Sequence, residues 1–167
     1  MNYPLVTKQT AWFRARTRTK INPRYQQRGL FYMKLSEIRQ LFPENITAND
    51  SLLLVSKALR ISKAKLLALD AIDVSAEQLE LISNYSTKIN AGIPLPYILG
   101  NWDFYGRSFL VTPDVLIPRP ETELLVDLVM EHIASTDLEK PHLVDVGCGS
   151  GILAVTFACA YPNAKVI

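Results

Sequence analysis

From Met33 to Gly92 the apolar residues recur at helical spacing, and no glycine interrupts them before Gly92. Leu35, Ile38 and Phe42, with Leu41 alongside, form a first stripe that Pro43 stops. Asn49 or Asp50 is placed to cap a second helix carrying Leu52, Leu53, Val55, Ala58 and Leu59, and Ser62 a third through Leu66, Leu67 and Leu69. Ser75 with Gln78 has capping-box spacing and opens a longer helix with Leu79, Leu81, Ile82, Tyr85 and Ile89, closing near Gly92. Residues 33–92 therefore read as a small helical bundle without catalytic-looking residues. Such a module can stabilise its neighbour or recognise a partner, and composition does not choose; a partner-recognition domain is the expectation.

Residues 93–115 shift to proline, glycine and aromatics. Trp102, Phe104 and Tyr105, then Phe109 and Val111, flank Gly106-Arg107, the signature of a hairpin linker. Residues 116–167 then change period again. Pro120 suits a helix start, with Glu121 and Glu123 in the first turn, where the helix dipole favours acids. The apolar face Leu124, Leu125, Leu128 and Val129 carries that helix to about Ala134, and Asp137 to Pro141 is a loop. A β-type run from His142 to Val146 crosses three glycines into a helix over Ile152–Ala160, and after a turn at Tyr161-Pro-Asn a second strand begins at Ala164. Doubly wound sheets use five or more strands as a rule, so the chain reads as ending inside its α/β domain.

Composition adds limits rather than chemistry. At 167 residues and 49% hydrophobic, one core and a small second one are affordable. No apolar run reaches the ~18 residues that a membrane span needs. Cys148 and Cys159 are too few for a disulfide framework and lack metal-ligand spacing. Cys159 is expected on the buried face of its helix, and both cysteines fit a reducing, cytoplasmic setting. His132 and His142 have no partnering pattern, and no metal site is expected.

The net charge of +2 hides an asymmetry. Residues 1–33 carry seven Lys or Arg and no acid, whereas the other 134 residues carry eleven against sixteen Asp or Glu. The body is mildly acidic and has no nucleic-acid footprint. Residues 1–32 read as a basic leader with three explanations: an arm touching nucleic acid, a mitochondrial-type transit peptide, or a segment outside the mature protein. The third is favoured, because Met33 stands immediately before the first well-patterned helix.

The strand–glycine–helix stretch is the most informative. Gly147, Gly149 and Gly151 let the backbone turn sharply and approach a ligand where a Cβ would clash. A dinucleotide fingerprint places its third glycine where this chain has Ile152, which leaves a dehydrogenase a distant third choice. Asp145, two residues before the first glycine, suits a cationic or amine-bearing ligand better than a pyrophosphate. The Asp145-x-Gly-x-Gly-x-Gly151 pattern resembles motif I of the S-adenosylmethionine-dependent methyltransferases of the Rossmann-like type. The fold class is thus α/β: a small helical bundle, a β-hairpin linker, and the incomplete beginning of a Rossmann-like methyltransferase domain.

Three segments in order, Pro96-Tyr-Ile-Leu-Gly-x-x-x-Phe-Tyr-Gly106, Leu116-Ile-Pro-Arg-Pro-Glu-Thr-Glu123 and Asp145-Val-Gly-Cys-Gly-Ser-Gly151, resemble the HemK/PrmC family over about Met33 to Ile167. That family consists of protein-(glutamine-N5) methyltransferases that modify peptide chain release factors. The resemblance implies S-adenosylmethionine over Gly147, Cys148, Gly149, Ser150 and Gly151, with Asp145 supporting it. It implies that Arg119 and Thr122 hydrogen-bond the methionine carboxylate, with Glu121 or Glu123 orienting them and Pro118 and Pro120 closing the pocket wall. Methyl transfer from a sulfonium requires no metal. The difficulty is the amide nucleophile, which must be held in a near-attack geometry. In the family an Asn-Pro-Pro-Tyr loop does this, and it falls after the position of Ile167. No catalytic residue is therefore assigned, and residues 1–167 alone are expected to be inactive and weak cofactor binders. Two alternatives stand beside this reading: a nucleic-acid amino-group methyltransferase of the same fold, and a non-catalytic module that docks a translation factor.

Overall fold

A computed structural model describes residues 30–136 and 138–167. The rest of the basic leader, residues 1–29, and Asp137 of the expected loop lie outside the described residues. The chain divides into two compact units, one ending at Ile98 and the other spanning Leu99–Ile167.

The first unit is helical, as the periodicity predicts, but it also contains a two-stranded ribbon that the periodicity did not reveal. Strand β1 (Leu30–Met33) pairs antiparallel with β2 (Ile72–Ser75), setting Phe31 opposite Val74 and Met33 opposite Ile72. Those four side chains are buried, whereas Tyr32 and Asp73 face outward, the alternation a half-buried strand requires. Leu30, Phe31 and Tyr32, expected in the leader, thus belong to the folded unit. Each strand offers only two buried residues, too few to register as a period.

Among the described residues, four helices follow one another in this unit before the short helix at its end. Helix α1 (Leu35–Arg39) is short, and the Glu37 Oε2 accepts from the Lys34 N–H at 2.8 Å. Tight turns carry Leu41 and Phe42 into the core beside Ile38. Helix α2 (Ala48–Leu59) is capped by Thr47, whose Oγ1 accepts from the Asp50 N–H at 3.1 Å. Asn49 and Asp50, the expected caps, lie instead in its first turn, because Thr47 is the last extended residue (φ −69°, ψ 157°). Its buried stripe holds Leu54 rather than Leu53.

Ser62 caps α3 (Lys63–Ala68), as expected. Helix α4 (Ala76–Asn90) opens with the predicted capping box, Gln78 N–H to Ser75 Oγ at 3.2 Å and Ser75 N–H to Gln78 Oε1 at 2.9 Å. Buried Ser86 on α4 donates to the Leu41 carbonyl at 2.7 Å, tying α4 to the segment after α1. The short helix α5 (Leu95–Leu99) ends at the boundary between the units.

The second unit opens with a hairpin. Strands β3 (Asn101–Phe104) and β4 (Arg107–Leu110) pair antiparallel, with Trp102 opposite Phe109 and Phe104 opposite Arg107. The two turn residues are Tyr105 and Gly106, one position earlier than Gly106-Arg107, and both have positive φ (48° and 73°). That is the geometry whose twist suits a two-residue hairpin. Helix α6 (Pro120–Ser135) starts with proline at its first position, as predicted.

Strand β5 (His142–Leu143) pairs in parallel with β6 (Lys165–Val166), and α7 (Ile152–Ala160) forms the crossover between them. The ladder runs on to Asp145, whose N–H donates to the Ile167 carbonyl at 2.8 Å. Phe104, Val126, Ile152 and Phe157 form the core, with Val129, Met130, Leu143 and Val166 packed against it.

Two expectations about packing change here. The buried residues of α6 are Val126 and Ile133, whereas Leu124, Leu125 and Leu128 are exposed. Cys159 is exposed as well: the core ends at Phe157, and Tyr161 closes that end by donating to the Met130 carbonyl at 3.3 Å.

Candidate functional site

The glycine turn lies between the end of β5 and the first turn of α7. Leu143 and Asp145 are half-buried, and Val144 and Val146 between and after them are exposed, so the strand alternates up to the turn. Gly147, Gly149 and Gly151 all adopt left-handed conformations (φ 77°, 53° and 72°). A side chain at any of them is strained, at roughly 1–2 kcal/mol each. A Cβ at Gly147 or Gly151 would meet no atom within 4 Å. The backbone conformation therefore demands glycine, and the space beside the turn is open. Cys148 and Ser150 fill the intervening positions and are exposed.

Gly151 is the N-cap of α7, and a glycine offers no side chain to take up the helix's first N–H groups. Asp145 does so instead. Its Oδ2 accepts from the Ala154 N–H, the third residue of the helix, at 3.3 Å. The carboxylate thus reaches across the turn and ties the strand end to the helix start, where the dipole favours a negative charge. The Gly151 N–H closes the turn on the Cys148 carbonyl at 2.8 Å.

The Pro118–Glu123 block forms the start of α6. Arg119 is the N-cap residue and contributes no side-chain cap, and its carbonyl accepts from the Thr122 N–H at 2.9 Å. Pro118 and Thr122 are half-buried, and Arg119, Pro120 and Glu121 are exposed. Glu123 turns toward the hairpin, where its Oε1 accepts from the Tyr105 N–H at 2.7 Å. Among the described residues no hydrogen bond joins this block to the glycine turn. The two segments are related through the packing of α6 on α7, with Val126 of one in the same core as Ile152 and Phe157 of the other.

Two participants escaped the sequence reading. Tyr105 bonds α6 at both its ends, and Asp127 accepts its hydroxyl at 2.8 Å. Hydrogen bonding to Asp127, then burial and the nearby acids, raise the Tyr105 phenol above its ordinary value. Gly106 was the available signal, because a two-residue turn of this kind asks for positive φ at both positions and glycine supplies it readily at the second. Among the described residues no three His, Cys, Asp or Glu side chains gather as a metal site requires.

The second unit thus holds a parallel strand–helix–strand unit whose crossover begins in an open glycine turn. A sequence model of the PrmC N-terminal domain matches residues 35–100. The chain is 39% identical over 114 residues to the release factor glutamine methyltransferase of Coxiella burnetii, covering 68% of this chain and 40% of that protein. Identity to the human MTRF1L release factor glutamine methyltransferase is 38% over 99 residues, 56% of this chain and 29% of that one. To the Koribacter versatilis release factor glutamine methyltransferase it is 51% over 75 residues, 45% of this chain and 26% of that one. Over the matched stretches this chain is similar to release factor glutamine methyltransferases, the proteins of the HemK/PrmC family. It spans less than half the length of the curated relatives it matches.

Proposed function

We propose that this chain serves S-adenosylmethionine-dependent methylation of a glutamine side-chain amide in a peptide chain release factor, and that its second unit is the start of a Rossmann-like methyltransferase domain. The observation that carries the reading is the turn itself: three left-handed glycines with open space beside them, leading into a helix that Asp145 caps. The relatives' names supply the reaction and the substrate class.

The residues present fit such a cofactor. The turn has no side chain pointing into the space next to Gly147 and Gly151. Asp145 commits one oxygen to the helix and holds its negative charge at the edge of the turn, a suitable neighbour for a sulfonium or an amine. S-adenosylmethionine, when bound, supplies a methyl group already activated by its sulfonium. The rest is positioning. In this reading Gly147 to Gly151 carry the cofactor with Cys148 and Ser150 at the rim, and Arg119 and Thr122 hold its carboxylate. Pro118, Pro120 and Glu121 form the adjoining wall toward the glutamine. The amide must also be held in a near-attack geometry, a task assigned to none of the residues named here.

The test is calorimetric titration of S-adenosylmethionine into the full-length protein, paired with mass spectrometry of a release factor incubated with both. Tight binding, and one added methyl on a glutamine that is abolished by Gly149→Val, are expected. A full-length protein that neither binds the cofactor nor methylates the factor, yet captures it, would sink the enzymatic reading in favour of a docking module.

A further inference from the structure

Tyr105 occupies a backbone region that side chains rarely enter (φ 48°), and three contacts hold it there. Its N–H donates to Glu123 Oε1 at 2.7 Å, its hydroxyl donates to Asp127 Oδ1 at 2.8 Å, and Met130 Sδ lies 3.6 Å from the same hydroxyl. Glu123, Asp127 and Met130 stand at i, i+4 and i+7, one face of α6. The hairpin turn is therefore laid along that helix and fastened at two points, and Phe104 next to it is buried against Phe109 in an edge-on ring contact at 6.3 Å.

The helix start is what this arrangement fixes. Arg119 gives α6 no side-chain cap, and an uncapped first turn frays. Glu123 sits one residue beyond Thr122, and its bond to Tyr105 is the lateral anchor of that turn. We propose that Tyr105 and Glu123 form a clamp whose task is to position Arg119 and Thr122 toward the cofactor. Both are positioning residues, and Glu123 acts through the hairpin rather than on the substrate. This rests on the assignment of Arg119 and Thr122 to the cofactor site made above.

The experiment uses the full-length protein and three variants, Glu123→Ala, Glu123→Gln and Tyr105→Phe, with S-adenosylmethionine affinity by calorimetry, the split between KM and kcat, and thermal unfolding. Losing a charge-assisted acceptor is expected to raise the cofactor Kd about tenfold in Glu123→Ala, with KM moved more than kcat. Glu123→Gln, whose amide oxygen still accepts the Tyr105 N–H, restores most of the affinity, and Tyr105→Phe costs about threefold. An unchanged Kd in Glu123→Ala overturns the clamp, whatever happens to the melting temperature. So does a Glu123→Gln variant as weak as the alanine, since charge rather than the anchor would then matter. If Glu123→Ala does not fold, Tyr105→Phe decides, and an unchanged Kd there overturns the proposal. Absence of cofactor binding by the unmutated protein is a separate result that removes the functional reading and the clamp together.

Discussion

In the unit that ends at Ile98 the large apolar side chains are enclosed: Met33, Ile38, Leu41, Leu54, Val55, Leu66, Val74 and Ile82 have essentially no exposed surface. In Leu99–Ile167 the balance reverses. Leu110, Leu116 and Val146 are 83%, 72% and 90% exposed, and Leu124, Leu128 and Val144 are exposed as well. The two units are built by different rules. The first is an αβ module whose helices and ribbon bury most of their apolar positions within the unit. The second contains a parallel strand pair, and parallel sheets are covered on both faces. Its helix α6 carries exposed Leu124, Leu125 and Leu128 in addition to the buried Val126 and Ile133. The second unit thus leaves more of its large aliphatic side chains exposed than the first, where Leu67 stands out as exposed.

The most severe way to break that comparison is to express the units separately. Residues 30–98 should unfold cooperatively and leave a hydrophobic dye dark, whereas residues 99–167 should bind the dye and melt without a sharp transition. The reverse behaviour would refute it.

Single truncations sharpen it. Leu54→Ala empties a fully buried site and should cost about 2–5 kcal/mol by denaturant titration. Leu124→Ala, on an exposed site of equal chemistry, should stay within about 0.5 kcal/mol in the same assay. Equal losses would mean that Leu124 is covered in solution.

Helix starts give a smaller contrast. Ser75→Ala removes a reciprocal cap from α4 and should cost about 1 kcal/mol. Arg119→Ala removes no cap from α6 and should leave stability nearly unchanged, both read from thermal melts.

The smallest expected effect is in pH. The Tyr105 phenol is raised in the folded protein, so its contribution is fully present below the ordinary tyrosine value of about 10 and fades as pH rises through the folded value. The stability gap between the native chain and Tyr105→Phe should accordingly be flat from neutral pH to pH 9 and shrink above about 10. A gap that widens with alkalinity would contradict the bond to Asp127.

Helix existence was legible wherever local chemistry marks an end. Ser75 with Gln78, Ser62, Pro120 and Gly151 each announced a boundary that the structure keeps. The face of a helix was harder to read. On α6 the Leu-rich side looked like the core, but Val126 and Ile133 are the buried residues, and Val126 shares the core with Phe104, Ile152 and Phe157. Periodicity cannot rank two apolar stripes on one helix, because the choice is made by tertiary neighbours. The ribbon was missed because four-residue strands supply two inward residues each. At the site, the glycine turn was plain from its spacing. That Asp145 caps a helix nine residues on, or that Glu123 serves a hairpin turn eighteen residues back, depends on the folded path and leaves no local trace.

Ser75 is the last residue of β2 and also the cap of α4, so strand and helix meet with no connecting residue between them. An insertion at this joint has nowhere to be absorbed. One added residue before Ser75 would shift Ile72 and Val74 to the solvent side of the ribbon, and one added after it would break the reciprocal bonds with Gln78. Length variation among descendants of this chain should avoid the joint and collect in the Pro43–Ile46 turn ahead of Thr47, where an extra residue displaces neither partner.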